Sequence, residues 1–448
     1  MLSNCMIISC LKSLYLLDGD INFIQNKEQV WSNKKLESRL TKGKDKLLFQ
    51  KIKLIPFIFP LKPRLDIGMK LKKNIKLVIG DYGLINYEIL RIPRKSILFE
   101  SLIYYISGDM KSYNRWIITF IDEFGNAEAG IDEGGLYREY LYKLSEEAFT
   151  KKEFFEPSQN GLLIPAKNSF AQNDIFNKKG YYIIYQFLGF IVGKAIFDNI
   201  KIYPNFSSIF LNNLLGIENS FIDLKEYDSE LYKNLVFLKN YEGNVEDLFL
   251  NFSLTVEENG KYKTIDLIEN GNDIPVTNSN KLEYIKKVTD YYLTDQFKDA
   301  VKAFRSGIEE IISLELLKLY SGEELRQIIY GFDSDTIDID DLSKNINYMG
   351  FNKEDKEEMQ CIIDFFNILS EFKEKEKEKF LFFCTSLKRL PIGGFSNLKP
   401  KFTLHKSNSK MPTSSTCANM LHLPILTYNE LKEKLLLAIN TDVRFYNA

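Results

Sequence analysis

The stretch LPIGGFSNLKPKFTLHKSNSKMPTSSTCANMLHLP, Leu390 to Pro424, decides how this chain is read. Near its end stands a lone cysteine, Cys417, set after Ser414, Ser415 and Thr416 and before a short apolar run. The only two histidines of the chain flank it, His405 twelve residues before and His422 five after. A free cysteine is mostly thiol at neutral pH, so a reactive one needs help from its surroundings. The residues offer that help in three ways. ANMLHL repeats with helical spacing, which predicts a short helix with Cys417 at its start, where unpaired N–H groups favour an anion. KFTLH predicts a strand whose hairpin-like return brings His405 to the thiol. Ser414, Ser415 and Thr416 are candidate donors to the sulfur or to an oxyanion. Against all three stands the ordinary fate of a cysteine among apolar residues, which is burial in a core.

The composition narrows the choices. A chain of 448 residues, 45% hydrophobic and 14% aromatic, is long enough for two or three domains with a sizeable core. A formal net charge of −2 leaves no overall basic surplus for a phosphate backbone, so nucleic acid is not expected as a partner. The five cysteines, at 5, 10, 361, 384 and 417, form no CxxC pair and no zinc spacing. They predict a reducing compartment, cytoplasmic and also nuclear, with no metal. Cys361 and Cys384 sit among Ile, Phe and Leu and read as core thiols. The N-terminus lacks the basic start and the cleavage site of a signal peptide. The apolar run YYIIYQFLGFIVG, 181–193, is too short to span a bilayer, and its GxxxG predicts close helix packing; no membrane is expected as a partner.

Residues 1–50 show no clear period and read as an extension. LIPFIFPLKPR, 54–64, is expected to be extended because of its prolines. SILFESLIYYIS reads as a helix, and GIDEGGLYREYLYKLSEEAF as a glycine turn entering an amphipathic helix with Leu136, Tyr140 and Leu144 on one stripe. Between 220 and 300 a helix capped by Asp228 or Ser229 breaks at Gly243 and leads to a strand-like LFLNFSL. A further helix is expected to start near Asn278 or Ser279, and more from about 295 to 330. FDSDTIDIDDL, 332–342, lacks the calcium-loop pattern and reads as a solvated loop. The chain loosens near NYMGFNKED, 347–355, a candidate joint before a small α/β unit. In the charge run EFKEKEKEKF, helical spacing pairs Glu371 with Lys375.

Six pieces, taken together and in order, resemble one family. AGIDEGGLYREYL, GFIVGKAIFDN, NYEGNVEDLFLNFSL, NGNDIPVTNSNKLEYI, AFRSGIEEII and the segment 390–424 are similar to HECT-type ubiquitin ligases from about residue 50 to the end. The closest likeness is to the stand-alone, proteasome-associated branch. The resemblance implies an α+β, bilobal fold. It has a large, mostly helical N-lobe over 51–349, with a conjugating-enzyme-binding subdomain at about 220–300. A hinge near 349–352 and a smaller α/β C-lobe, 350–448, follow. It implies that ubiquitin passes from a conjugating enzyme to Cys417 as a thioester and then to a substrate lysine, with no cofactor. Thr416, His405 and the near-terminal aromatic Phe445 match family site positions, whereas His422 stands where the family often carries lysine and reads as surface variation. Leu231, Leu235, Leu238 and Tyr241, with Tyr284 opposite, match the groove for the conjugating enzyme. The partners implied are that enzyme, ubiquitin, protein substrates and the proteasome. Two rival readings are a cysteine hydrolase using Cys417 and His405, and a non-catalytic adaptor that keeps only the groove.

Overall fold

The computed structural model describes residues 64–65, 87–128, 134–167, 175–258, 261–331, 337–391 and 393–440. The expected extension, the proline-rich stretch before Arg64 and the first half of the acidic run lie outside them. Contacts divide the chain into two units. One is built chiefly from Phe149–Lys194 and Asn205–Arg326, the other from Leu84–Ala148, Ala195–Pro204 and Gln327–Ala448.

The first unit is mostly helical. The apolar run at 181–193 extends at both ends into the helix Ile175–Asp198. Its Lys178–Asp198 part is long and apolar enough to cross a membrane, unlike the short run on which the sequence reading rested, and 67% of its apolar window is buried in protein. Glycines explain how. A Cβ at Gly189 would lie 2.0 Å from the Phe304 carbonyl oxygen, and one at Gly307 would lie 1.8 Å from that of Gln186. The helix Lys298–Glu309 therefore packs backbone to backbone against the glycine face. Beside it Phe210 meets Phe304 edge to face with centroids 5.3 Å apart, and Phe206 tilts against Phe210 at 5.2 Å.

The segment from 228 to 293 belongs to this unit. Asp228 caps the helix Ser229–Asn240, accepting from the N–H groups of Glu230 and Leu231 at 3.0 Å. The expected strand in LFLNFSL forms only at its end, since Phe249 takes a left-handed φ of 50° and the strand starts at Ser253. It pairs antiparallel with Lys261–Asp266. The following helix, Lys281–Leu293, begins slightly later than expected, capped at Asn280.

In the second unit, Tyr87–Pro93 and Arg115–Ile121 pair in parallel across the helix Ile97–Ile106. Trp116, Ile118 and Phe120 are buried beneath them, with Tyr140 and Leu144 of the helix Gly135–Phe149. That helix is held firmly. Arg94 reaches Glu139 at 2.8 Å, and the Tyr140 hydroxyl meets the Ser101 hydroxyl at 2.7 Å.

The C-terminal part of the same unit is a four-stranded sheet in the order Asn347–Met349, Thr403–Ser407, Met420–Pro424, Thr413–Ser415. The first three strands run parallel and the last antiparallel. The helices Lys356–Glu371, Glu374–Thr385 and Tyr428–Asn440 bury one face of it, around Phe365, Phe380, Phe402, Leu404, Leu421 and Leu435. This is the α+β architecture expected. The packing does not break at 349/350, because Ile337, Leu342 and Ile346 join this core and residues 347–349 join its sheet. Two local expectations change. Asp338 caps a helix, Ile339–Asn345, where a solvated loop was expected. The helix breaks between Glu371 and Glu374, so Glu371 pairs with Lys432 at 2.6 Å instead of Lys375. Burial of Phe372, 4% exposed, sets that break.

Candidate active site

Leu421 and Leu423 are both fully buried, while Met420 and His422, which alternate with them, are not. That alternation makes 420–424 a strand, and the helix expected from ANMLHL is absent. Six residues carry too little periodicity to separate the two forms. Cys417 lies instead in a 3-10 turn, Thr416–Ala418, between two antiparallel strands. Asn419 closes the turn at a left-handed φ of 50°, a conformation asparagine tolerates better than most residues. It is fully buried, and its amide donates to the Pro400 carbonyl at 2.7 Å.

The sulfur is partly exposed. Help comes to it from a helix start, though not from its own segment. The Gly135 N–H, opening the helix Gly135–Phe149, donates to Sγ at 3.2 Å. A Cβ at Gly135 would stand 2.5 Å from Thr416 Oγ1 and 2.9 Å from Sγ. Only glycine leaves room for that approach. One helical turn on, Arg138 Nη1 donates to Asn419 Oδ1 at 2.9 Å, to the Thr385 carbonyl at 3.3 Å and to the Thr416 carbonyl at 3.4 Å. Its Nη2 donates to the Lys399 carbonyl at 3.4 Å. Burial lowers the Arg138 guanidinium from its ordinary value, while the charge of Cys417 acts in the other direction. Gly135 and Arg138 were absent from the sequence-derived site. Their signal was the spacing in GGLYRE, which sets positions three apart on one helix face.

The hydroxyls and histidines are arranged otherwise than expected. Ser414 Oγ donates to the Phe383 carbonyl at 2.6 Å, and Ser415 Oγ meets His422 Nε2 at 2.8 Å. Thr416 keeps its place beside the sulfur, facing the Gly135 Cα. His405 does not return in a hairpin. Parallel pairing sets it opposite His422, and their Nδ1 atoms are 3.1 Å apart. His422 is therefore a partner in a polar cluster and not a surface variation. Burial first, and His405 second, lower its pKa from the ordinary histidine value. Phe445 lies outside the described residues.

The other thiols behave as core residues. Cys361 and Cys384 are buried, and burial pushes both thiols up. Among the described residues no three His, Cys, Asp or Glu side chains group as a metal site.

Three of the five residues expected to form the groove are buried in the protein. Leu235, Leu238 and Tyr284 are 5%, 4% and 7% exposed, and Tyr284 stacks on Phe252 at 5.5 Å. Leu231 and Tyr241 are half-buried. The stripe at four-and-three spacing marks the face that packs inward. The apolar groups exposed in the same 228–293 segment include Phe237, Phe249, Tyr262 and Leu282, from 61% to 91% exposed.

A model of the HECT domain, a ubiquitin-transferase domain, matches residues 142–448. The chain is 40% identical over 334 residues to a probable E3 ubiquitin protein ligase of Schizosaccharomyces pombe, covering 73% of this chain and 32% of that protein. It is 35% identical over 439 residues to the E3 ubiquitin-protein ligase HUL5 of Saccharomyces cerevisiae, covering 92% and 46%. It is 31% identical over 438 residues to ubiquitin-protein ligase E3B of Homo sapiens, covering 88% and 40%. The chain thus spans less than half the length of each of these relatives.

Proposed function

The chain belongs to the HECT-domain (ubiquitin-transferase) family, and from that premise we propose that it takes ubiquitin from a conjugating enzyme onto Cys417 and passes it to a substrate lysine. In loading, the Cys417 thiolate attacks the donor thioester, and the donor's sulfur leaves as the thiolate. In discharge, a neutral lysine amine attacks the Cys417 thioester carbonyl. A C–N bond forms, the C–S bond breaks, the Cys417 sulfur leaves as thiolate, and the amine's extra proton goes to solvent. Both steps pass through an oxyanion, and neither needs a metal or an organic cofactor.

The observation that carries this reading is a partly exposed thiol with a backbone N–H donating to its sulfur. The two other described cysteines are buried, and burial pushes both thiols up. A hydrolase dyad finds no support, because the His405 ring is engaged with His422. The conjugating enzyme docks, in this reading, on the outward face of the 228–293 segment. Phe249 supports that surface because it is 91% exposed.

Charged conjugating enzyme supplies the test. Wild type gains a ubiquitin adduct that reductant removes, Cys417→Ser gains one that survives reductant, and Cys417→Ala gains none. A reductant-sensitive adduct on Cys417→Ala would overturn the assignment.

A further inference from the structure

We infer that the first turn of the helix Gly135–Phe149 is the receiving half of the transfer site: Arg138 and Gly135 clasp the turn that carries Cys417, and Arg138 is a positioning residue for discharge. The inference rests on the transferase reading above and assigns Arg138 of the GGLYRE motif, which that reading leaves without a role.

Positions 135 and 138 share a helix face, so one rigid element presents both to the turn. That element is itself anchored from behind. Glu139 holds Arg94, and Tyr140 is fully buried against Ser101. The Arg138 acceptors are side chain or backbone oxygens of Thr385, Lys399, Thr416 and Asn419, which bracket Cys417 from three directions in the chain. Among the described residues no carboxylate pairs with Arg138. Its positive charge is thus left to act on the turn and on the negative charge that develops at the sulfur and the thioester oxygen. Asn419 completes the clasp, because the amide that accepts from Arg138 also ties the turn to Pro400. At Gly135 the missing side chain lets Sγ and Thr416 Oγ1 reach the helix backbone.

Loading demands a sulfur that the donor can reach and that the Gly135 N–H helps to hold as an anion. Discharge demands in addition that the thioester be held still while a freely diffusing lysine finds it, and orientation of that kind governs rate. The Arg138 arm of the clasp therefore acts on discharge. Losing one charge-assisted, multidentate contact slows such a step by about 10- to 100-fold.

The experiment is a pulse–chase on full-length chain. Cys417 is loaded, the donor is quenched, and thioester decay onto free lysine is followed for wild type, Arg138→Ala and Gly135→Ala. Arg138→Ala is expected to load within about twofold of wild type and to discharge at least about tenfold more slowly. Millimolar guanidinium is expected to recover part of that loss. Gly135→Ala improves helix propensity, so it weakens no fold element, yet its Cβ displaces the turn. Because that Cβ also crowds Sγ, the variant is expected to slow loading as well as discharge. Wild-type discharge in both variants overturns the inference. So do equal losses in loading and discharge in Arg138→Ala, or an Arg138→Ala defect that guanidinium leaves untouched. Failure of wild type itself to load overturns the transferase reading instead, and the two failures are distinguishable.

Discussion

Around Cys417 polar groups turn inward, whereas from Phe237 to Leu282 apolar groups turn outward. In the first region a backbone N–H, a guanidinium and a buried amide converge on one short turn, and each donor finds an acceptor. In the second, the interior is already filled by Leu235, Leu238, Phe252 and Tyr284, and the exposed remainder is Phe237, Phe249, Tyr262 and Leu282. On the proposed function the two regions meet different needs. Acyl transfer needs charge relief held in place before the reaction, which only satisfied polar contacts supply. Docking needs apolar surface left over once the core is complete, which a partner then covers.

The sharpest test of that division puts the same substitution on either side of the second region's boundary. Leu235→Asp places a charge in a core and is expected to cost roughly 3–5 kcal/mol of stability, read as a lower urea midpoint. Phe249→Asp is expected to leave the midpoint unchanged and to slow loading by about 10- to 100-fold at subsaturating donor. Should Leu235→Asp fold normally and fail only in loading, the stripe would be the docking groove after all.

Phe445 sharpens the first region. The family likeness alone gives it a role in transfer, through an aromatic anchor that aligns the thioester with lysine. Phe445→Ala is expected to load normally and discharge about 30- to 1000-fold more slowly at the upper range of such anchors. Its product with Arg138→Ala distinguishes one alignment device from two. Independent devices multiply, and a single device does not.

The smallest expected effect concerns His422. Its folded pKa lies below the ordinary value of 6.5, so the folded protein binds fewer protons than the unfolded chain just below that pH. The contribution to stability is whole above the ordinary value and declines as pH falls beneath it. Urea midpoints at pH 7.5 and 5.5 are expected to differ less in His422→Asn than in wild type. An equal difference would leave His422 outside the titration.

Much of the site was legible in its residues, and its failures share a cause. The lone thiol, Asp228 as a cap and the glycine-lined packing of 181–193 are local features, and each formed as read. The short helix after Cys417, the hairpin return of His405 and the Glu371–Lys375 pair were read from spacing over a few residues. Each yielded to burial or strand pairing elsewhere: Leu421 and Leu423 under the sheet, His422 opposite His405, Phe372 in the core. Periodicity reported correctly that Leu235 and Leu238 share a face. It carried no information on whether that face meets a core or a partner.

By itself, then, the sequence determined that the chain is α+β and to which family it belongs, and it singled out the Cys417 sulfur as the candidate nucleophile. Those depend on residue type and order, which are complete in one dimension. The tertiary structure alone decided which groups serve that atom. Gly135 and Arg138 stand about 280 residues from Cys417 along the chain and at hydrogen-bonding distance from its turn. Hydrogen bonds act over about 3 Å of space and take no account of separation along the chain, so only the packed helix and sheet could bring those donors to the sulfur.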